Sequence, residues 1–351
     1  MSSFQGTIID SHVHLFNGLA DLETLDCLQA RSGAAALGIA SLPIGCMHYG
    51  THETHLSGFL RKKQRPSETY LFAALDYSVP GAKEGKLDFS KQAVAQLEAG
   101  ADGIKMLEGK PGPRRDTGLP LDAKAYHSFY DYLQEYRIPL LLHVADPAEF
   151  WDPDKASDFA KENGWFWGDG SCLSKEALYA EAEGVLQKFP ELKLTFAHFF
   201  FLSGEIDRAK ALLDRWPNIC IDITPGFEMY HDFSREPAKW REFFTSYASR
   251  IIFGTDNCGS PEKLEEGVNA YASLRKFLET DEPSFSGRGL ALDDKTLSLI
   301  YAKNFQNRVG ETPSPLKMDK VLALCDAALN SLRKEPEKQT RIEKIRKLLQ
   351  S

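Results

Sequence analysis

Short, almost uninterrupted apolar runs recur along the chain, and each is too continuous for a strand with one face in water. They cover residues 7–16, 36–44, 69–77, 101–107, 139–146, 193–201, 218–225 and 250–257. Such runs are typical of strands that are buried on both faces of a parallel sheet. Most segments between them space their apolar residues as helices do, over residues 22–31, 89–99, 123–136, 175–189, 205–216, 237–247 and 261–278. This alternation predicts an α/β fold, a closed (β/α)8 TIM barrel.

The pattern changes beyond residue 310. Residues 297–309 and 317–350 have helical spacing on either side of a turn at "ETPSPL". We therefore expect the barrel to span residues 1–310 and a C-terminal helical extension to span residues 311–351. The last helix mixes charges at helical spacing, which favours a solvated face, with docking on a second subunit as the alternative. We expect the protein to form homo-oligomers.

A long polar and aromatic segment follows the fifth apolar run, at residues 147–174. Loops of this length in a compact domain are usually functional, so we expect a lid or a pocket wall. Its residues Trp151, Trp165 and Trp167 would cover an apolar or aromatic substrate, or would only anchor the segment on the barrel. The sequence leaves both interpretations open.

Composition and charge narrow the classes of partner. The 351 residues carry a formal charge of −8, so the chain lacks the basic excess that binding to a phosphate backbone needs. The N-terminus shows no basic and apolar leader, and no stretch offers the roughly 20 consecutive apolar residues that span a bilayer. The six cysteines have no CxxC spacing, which favours reduced thiols. We expect a cytoplasmic protein with a small-molecule substrate and neither nucleic-acid nor membrane partners.

Metal-binding side chains stand where the apolar runs end. His12 and His14 are two residues apart in a strand, so their side chains point the same way. The other candidates, at the ends of the fourth, fifth, sixth and eighth runs, are Lys105, His143, His198 and Asp256. All should meet at the C-terminal face of the barrel, where barrel enzymes build their sites. Three imidazoles and one carboxylate suit zinc, and a looser octahedral site would hold manganese or iron.

A family resemblance adds roles to these residues. The segments "IIDSHVHLF", "LLLHVAD", "LTFAHFF", "IIFGTDN" and "YAKNFQNRVG" resemble the amidohydrolase superfamily, specifically its amidohydrolase-2 branch of metal-dependent hydrolases and decarboxylases. The resemblance implies that the metal ligands are His12, His14, His143 and Asp256. It also implies that His198 is a catalytic histidine that polarises the substrate. Asp256 would in addition carry a proton from a metal-activated water.

Lys105 has two interpretations. In binuclear members of the superfamily, a carbamylated lysine at the end of the fourth strand bridges two metals, which would make Lys105 part of the catalytic centre. Alternatively its ammonium lies in the pocket and pairs with Glu108 or with a substrate carboxylate. We favour one metal, because this branch usually shows one.

Further residues are candidates for contact with the substrate. Arg114 and Arg115 follow the fourth run and could grip an anionic group, since a guanidinium meets a carboxylate with two hydrogen bonds. A solvated turn is the alternative for both. His48, in the loop after the second run, is a further candidate for the pocket, as are Glu108 and Trp151.

Two functions remain open from the sequence. The first is a metal-dependent hydrolase of a small carbonyl substrate, such as a lactone, an amide or an ester. The second is a metal-dependent decarboxylase, a lyase acting on an aromatic or conjugated carboxylic acid. Both would use the same ligands, so the ligand pattern does not separate them.

Overall fold

The computed structural model describes residues 4–226 and 228–351. The β-strands are β1 (Ile9–His14), β2 (Ala36–Ala40), β3 (Thr69–Ala73), β4 (Gly103–Gly109), β5 (Pro139–Val144), β6 (Lys193–Phe196), β7 (Cys220–Asp222), β8 (Ile251–Ile252), β9 (Asn257–Cys258), β10 (Pro283–Ser284) and β11 (Gly287–Arg288). The α-helices are α1 (Leu22–Ser32), α2 (His52–Gln64), α3 (Phe89–Ala99), α4 (Pro111–Thr117), α5 (His127–Glu135), α6 (Asp158–Glu162), α7 (Lys175–Lys188), α8 (Ile206–Arg215), α9 (Met229–Arg235), α10 (Pro237–Ser246), α11 (Leu264–Glu279), α12 (Asp294–Ser298), α13 (Asn304–Val309), α14 (Met318–Ser331) and α15 (Pro336–Gln350).

Strands β1 to β9 form one parallel sheet that closes on itself. Each strand from β1 to β7 pairs with the next in the chain, and β1 also pairs with β9. Strands β8 and β9 are two pieces of the last barrel strand, and between them the N–H of Ser11 donates to the carbonyl of Phe253 (3.1 Å). The predicted (β/α)8 barrel is confirmed. Its C-terminal face gathers the ends of all eight strands.

The barrel strands are buried on both faces, as their continuous apolar runs predict. Every residue of β1 to β5 is buried, and β6 alternates buried and half-buried residues. The observed strands are shorter than the apolar runs. The sixth run, for example, leaves the sheet after Phe196 because the next residues turn sharply. Hydrophobicity alone does not mark this turn, since His198–Phe201 remain buried.

Two helices occupy segments that the sequence pattern did not place well. Helix α2 is preceded by Thr51, whose hydroxyl accepts a hydrogen bond from the N–H of Thr54, and the Thr54 hydroxyl accepts one from the N–H of Thr51. This reciprocal cap fixes the start of a 13-residue helix. Helix α4 begins with Pro111 and ends at Gly118, which has a φ of 69°. Proline at the first position and a left-handed glycine after the last favour a helix where the sequence left a solvated turn as one alternative.

The segment after β5 has its own small hydrophobic cluster. Phe150, Ala160 and Trp167 are buried in it, and Trp151, Trp165 and Cys172 pack against them. It contains a short 3-10 turn at Ala148–Trp151 and the helix α6. We refer to residues 147–174 as the wall segment.

The C-terminal helices pack on the barrel. Helix α15 lies against α2, and α14 lies against α3 and α15. Ile342, Ile345 and Leu349 of the last helix are buried within the described chain, whereas Leu348 is exposed. The boundary at residue 310 and the oligomeric state stay predictions. Among the described residues, no helix combines the length and apolar character needed to cross a bilayer.

Candidate metal centre and cavity

The two histidines of β1 present lone pairs to one point. The Nδ1 atom of His12 lies 2.9 Å from Oδ2 of Asp222, and the Nδ1 atom of His14 lies 2.6 Å from the carbonyl oxygen of Ala40. These oxygens accept hydrogen bonds, so Nδ1 carries the proton in each ring and Nε2 keeps its lone pair. The two Nε2 atoms are 3.1 Å apart. Strand alternation and two fixed tautomers therefore aim both imidazoles at the mouth of the barrel.

Asp256 completes this side of the mouth. Its Oδ1 lies 3.2 Å from Nε2 of His14 and 3.8 Å from Nε2 of His12. The backbone of Asp256 is left-handed, with a φ of 57°, and its N–H donates to the carbonyl of His12. Burial acts to raise the pKa of Asp256, but the surrounding imidazoles of His14, His198 and His12 outweigh burial and hold this pKa well below its usual range. An ionised carboxylate thus faces two nitrogen lone pairs.

His198 approaches from β6. Its Nδ1 lies 3.3 Å from the carbonyl oxygen of Thr224, which leaves Nε2 as the acceptor nitrogen. One ligand atom from each of His12, His198 and Asp256 lies within 4.8 Å of the other two, so these three residues form a group that could hold a metal ion. The sequence interpretation made His198 catalytic rather than a ligand. The geometry leaves it suited to either role.

His143 lies beside this group and is held differently. Its ring centroid is 4.7 Å from that of His198. Its Nε2 lies 2.8 Å from the carbonyl oxygen of Ala145 and 3.3 Å from Oδ1 of Asp146, so Nδ1 keeps the lone pair. The structure brings His143 to the mouth, and its role as a ligand stays a prediction.

Burial keeps three of the histidines at the mouth neutral. It lowers the pKa of His143 and of His198 to about 4, and it lowers the pKa of His12 well below its usual value. A neutral imidazole is the form that binds a metal, because protonation occupies the lone pair.

The donor set therefore fits a divalent cation. Imidazole nitrogens of His12, His14 and His198 and the carboxylate of Asp256 are the ligand types that zinc prefers. The Nδ1–H of His12 donates to Asp222, the kind of carboxylate contact that would orient this histidine toward a metal. The identity of the metal is not determined by these contacts.

Left-handed backbone recurs among these residues. His198, Phe199, Phe200 and Phe201 have φ between 51° and 55°, and Ala145 and Asp256 share this conformation. For residues with a side chain, each such position costs about 1–2 kcal/mol. Strain of this kind is typical of functional sites, where the surrounding fold holds it in place.

Lys105 lies under the mouth on β4. It is fully buried, and its Nζ is 3.3 Å from Nε2 of His12. Burial lowers its pKa to about 8, although Asp222 and Asp256 oppose this effect. Glu108 is not its partner. The carboxyl group of Glu108 accepts a hydrogen bond from Oη of Tyr77 (2.7 Å), and it does not line the cavity.

A cavity of about 690 Å³ opens above the candidate metal centre. His14, His143, His198 and Asp256 lie at its floor, and its walls include Phe16, His48, Tyr49, Trp165, Trp167 and Phe201. The rings of His14 and Phe16 stack with centroids 5.6 Å apart, and Phe16 contacts Tyr49. One face of the cavity is thus a continuous aromatic surface that starts at the floor.

The predicted substrate contacts divide into two groups. Arg115 and His48 line the cavity, whereas Arg114 and Trp151 do not. Arg114 instead makes a bidentate ion pair with Glu181, with Nε 2.9 Å from Oε2. The indole N–H of Trp151 donates to the carbonyl of Leu173 and anchors the wall segment. Helix α4 points neighbouring arginines in different directions, which a turn interpretation does not anticipate.

Two residues at the floor were missed by the sequence interpretation. Asp222 ends β7 and accepts hydrogen bonds from His12 and from the N–H of His198. A carboxylate at the end of the buried run "NICIDITP" was the available signal. Asp10 accepts a hydrogen bond from the hydroxyl of Thr255 (2.6 Å), which ties the start of the first motif to "GTD".

Comparisons with solved structures show the same fold at low sequence identity. A putative amidohydrolase from Staphylococcus aureus is 12% identical with a TM-score of 0.55, over 87% of this chain and 100% of that chain. A 4-oxalomesaconate hydratase from Rhodopseudomonas palustris is 16% identical with a TM-score of 0.52, over 93% and 99%. A 2,6-dihydroxybenzoate decarboxylase in complex with 2,6-dihydroxybenzoate is 14% identical with a TM-score of 0.52, over 87% and 99%. At these identities the likeness concerns the fold alone.

A sequence profile extends the likeness to a family. No curated protein matches the chain significantly. The amidohydrolase family model (Amidohydro_2), however, matches residues 84–304, which is well over half of the chain and includes His143, His198 and Asp256. The "DSHVH" motif precedes the matched range, and the structure places it at the same barrel mouth. The chain therefore belongs to the amidohydrolase family.

Proposed function

We propose that the protein is a metal-dependent hydrolase that acts on a small carbonyl compound such as a lactone, an ester or an amide. The observation that carries the proposal is the convergence of two Nε2 lone pairs and the ionised Asp256 at the floor of the cavity. The residues that would hold the metal are His12, His14, Asp256 and either His143 or His198. Zinc is the first choice for this donor set, with manganese or iron as alternatives.

A bound divalent metal supplies a water of lowered pKa and polarises a carbonyl oxygen. The protein's own residues supply the proton transfer. Asp256 stays ionised and is 36% exposed to the cavity, so its free carboxylate oxygen can accept the proton of an attacking water and return it to the leaving group.

His198 contributes a lone pair more readily than a proton. Its Nδ1–H is directed to Thr224 and burial lowers its pKa to about 4, so Nε2 is unprotonated at neutral pH. It can therefore accept a hydrogen bond or bind the metal. Donation to a substrate oxygen would first require protonation of His198, which its burial opposes.

The aromatic surface of the cavity supports a second candidate function, the decarboxylation of an aromatic or conjugated acid. Phe16, Tyr49 and Trp165 offer flat apolar contact next to the floor, and planar substrates stack on such rings. In this reaction the substrate carbon must receive a proton, whereas in hydrolysis water attacks a carbonyl carbon. The same residues at the floor would serve both reactions.

The test begins with the metal content of purified wild-type protein grown in supplemented medium. The protein is then assayed for hydrolysis of lactones, esters and amides, and for carbon dioxide release from aryl acids. Hydrolysis supports the first function, and carbon dioxide release replaces it with the second. Protein without a divalent metal would contradict both.

Asp256→Asn tests the proton carrier. The variant keeps a coordinating oxygen but cannot take a proton, so metal should largely stay while turnover falls by roughly 100-fold or more. Asp131→Asn is the matched control, since Asp131 is exposed on α5 and does not line the cavity. Near wild-type turnover in Asp256→Asn would show that Asp256 only binds the metal.

His198→Asn tests the number of metals. With a single metal held by the other ligands, the variant should retain about one metal per chain and lose activity. A site that drops from two metals to one would instead favour the binuclear arrangement with a modified Lys105.

A further inference from the structure

Asp146 lies at a junction between the barrel mouth and the wall segment. It is only 1% exposed. Its Oδ1 accepts a hydrogen bond from Nζ of Lys110 and lies 3.3 Å from Nε2 of His143. Its Oδ2 accepts a hydrogen bond from Nε1 of Trp167 (2.9 Å). One oxygen of this buried carboxylate thus serves the barrel, and the other serves the wall segment.

The backbone at this junction makes the contact with His143 specific. Ala145 has a φ of 64°, and its N–H donates to the carbonyl of Gly109 on β4. This left-handed turn places the carbonyl of Ala145 and the carboxylate of Asp146 on the same nitrogen of His143. That nitrogen donates, so Nδ1 faces the other histidines of the mouth. The orientation of His143 is therefore set by the two residues that lead into the wall segment.

Trp167 connects the other end of this arrangement. Its ring is buried in the small cluster with Phe150 and Ala160, and its backbone N–H donates to the carbonyl of Phe150. Both Asp146 and Trp167 line the cavity. If the wall segment moved away from the barrel, the hydrogen bond from the indole N–H of Trp167 to Asp146 would break. The Oδ2 of Asp146 would then lose its buried donor, which is unfavourable for a carboxylate oxygen left without a partner.

We propose that Asp146 is a positioning residue that couples the seating of the wall segment to the orientation of His143, so that metal binding and closure of this cavity wall stabilise each other. The proposal rests on the proposed function in one respect, because it takes His143 to be a metal ligand. Asp146 acts through its hydrogen-bond partners, His143 and Trp167. Coupling of this kind is reciprocal, so each event must favour the other by the same factor.

The first experiment compares two tryptophan variants of the full chain. Trp167→Phe keeps an aromatic ring in the cluster but removes the donor to Asp146. Trp151→Phe is the matched control, because its indole donates to the carbonyl of Leu173 in the same segment and does not line the cavity. The apparent zinc affinity is measured by competition with a chromogenic chelator. We expect Trp167→Phe to weaken zinc binding by about 10-fold, the low end of the effects seen when the outer partners of a ligand are lost, because it removes a donor to the residue that orients His143. Trp151→Phe keeps the contact with Asp146 and should weaken zinc binding much less.

The second measurement reads the coupling from the other end. Amide hydrogen exchange of residues 147–174 is followed by mass spectrometry with and without zinc, in the wild type, Trp167→Phe and Asp146→Asn. Zinc should slow this exchange in the wild type and have little effect in either variant. The melting temperatures of the three proteins show whether a change is local or reflects general destabilisation.

The outcomes separate the coupling from the proposed function. If the wild type binds zinc and Trp167→Phe binds it with the same affinity, the coupling is overturned and the proposed function stands. Equal losses in Trp167→Phe and Trp151→Phe also overturn it, because the contact of Trp167 with Asp146 would then have no effect of its own. A wild type that binds no divalent metal overturns the proposed function and the role of His143 on which the coupling depends.

Discussion

The two sides of the cavity floor hold their histidines in different ways. On the β1 side, His12 and His14 are oriented by Asp222 and by the carbonyl of Ala40, which belong to other strands of the barrel. On the β5 side, His143 is oriented by Ala145 and Asp146, where the chain leaves the barrel for the wall segment. The core of the fold fixes the orientation of His12 and His14. The orientation of His143 depends on the residues that lead into the wall segment, which has a small hydrophobic cluster of its own.

Because of this difference, the β1 side of the floor is rigid, whereas the orientation of His143 on the β5 side can respond to the wall segment. Groups on packed strands are held more precisely than groups on loops, so the β1 side can present its two lone pairs before any ligand arrives. A residue oriented by a separately packed segment responds when that segment moves. The wall segment also lines the cavity, so a substrate that contacts Trp165 or Trp167 would act on the side of the floor that can respond.

The largest effect is expected when a histidine of the β1 side is removed. His12→Ala or His14→Ala should abolish most metal binding, because each deletes a nitrogen that no neighbour replaces at the same point. The fold should remain, since the metal-binding atoms lie at the mouth of a barrel whose strands are buried on both faces. Metal analysis and circular dichroism check both statements. His127→Ala, on the exposed part of α5, is the control. Full metal content in His12→Ala would contradict the assignment of the centre.

A smaller effect should follow from loosening the β1 side without removing a ligand. Asp222→Asn replaces the acceptor of the His12 Nδ1–H by an amide that can present a donor. Zinc affinity should fall by about 10–100-fold, as is usual when the outer partner of a ligating histidine is lost. Chelator competition measures this change, and Asp214→Asn, whose carboxylate bonds the exposed Tyr247, serves as the control. Unchanged affinity would mean that Ala40 and the strand alone orient the pair.

Glu108, on the strand β4 that pairs with β5, should make the stability of the protein depend on pH. Burial raises the pKa of Glu108 from 4.5 to about 7. The folded state therefore keeps a proton that the unfolded chain releases, so its contribution to stability is full below pH 4.5 and is lost as the pH rises through 7. Relative to Glu108→Gln, the wild type should lose about 2 kcal/mol between pH 5 and pH 8. Urea unfolding at both values measures this, with the exposed Glu135→Gln as control. A parallel pH profile for Glu108→Gln and the wild type would refute the assignment.

The smallest expected effect concerns the hydrogen bond between Asp10 on the first barrel strand and Thr255 on the last. Thr255→Val keeps the shape of the side chain and removes the hydroxyl that donates to Asp10. We expect the free energy of unfolding to fall by about 1–2 kcal/mol, since Asp10 is buried but still receives the N–H of Thr255. Thr245→Val, whose hydroxyl bonds an exposed helical carbonyl, should change stability much less. If both variants unfold alike in urea, the link between "DSHVH" and "GTD" does not stabilise the barrel closure.

The sequence by itself determined the barrel and the approximate floor of the site. Continuous apolar runs define strands buried on both faces, and in a closed parallel barrel every such strand ends at the same face. The positions of His12, His14, Lys105, His198 and Asp256 along those runs therefore predicted their proximity, and the structure places them together. These signals are local, because strand alternation and strand ends can be read from a few neighbouring residues.

Only the tertiary structure decided which partner each polar side chain meets. Arg114 pairs with Glu181 and leaves Arg115 to the cavity, while Glu108 meets Tyr77 rather than Lys105. The partners of His143 and Trp167 at Asp146 are equally invisible in the apolar pattern. Most of these hydrogen bonds join residues far apart in the chain, and all depend on distances of a few tenths of an ångström. Periodicity fixes which face a side chain occupies, but the choice among neighbours on that face follows from packing and burial, which exist only once the barrel has closed.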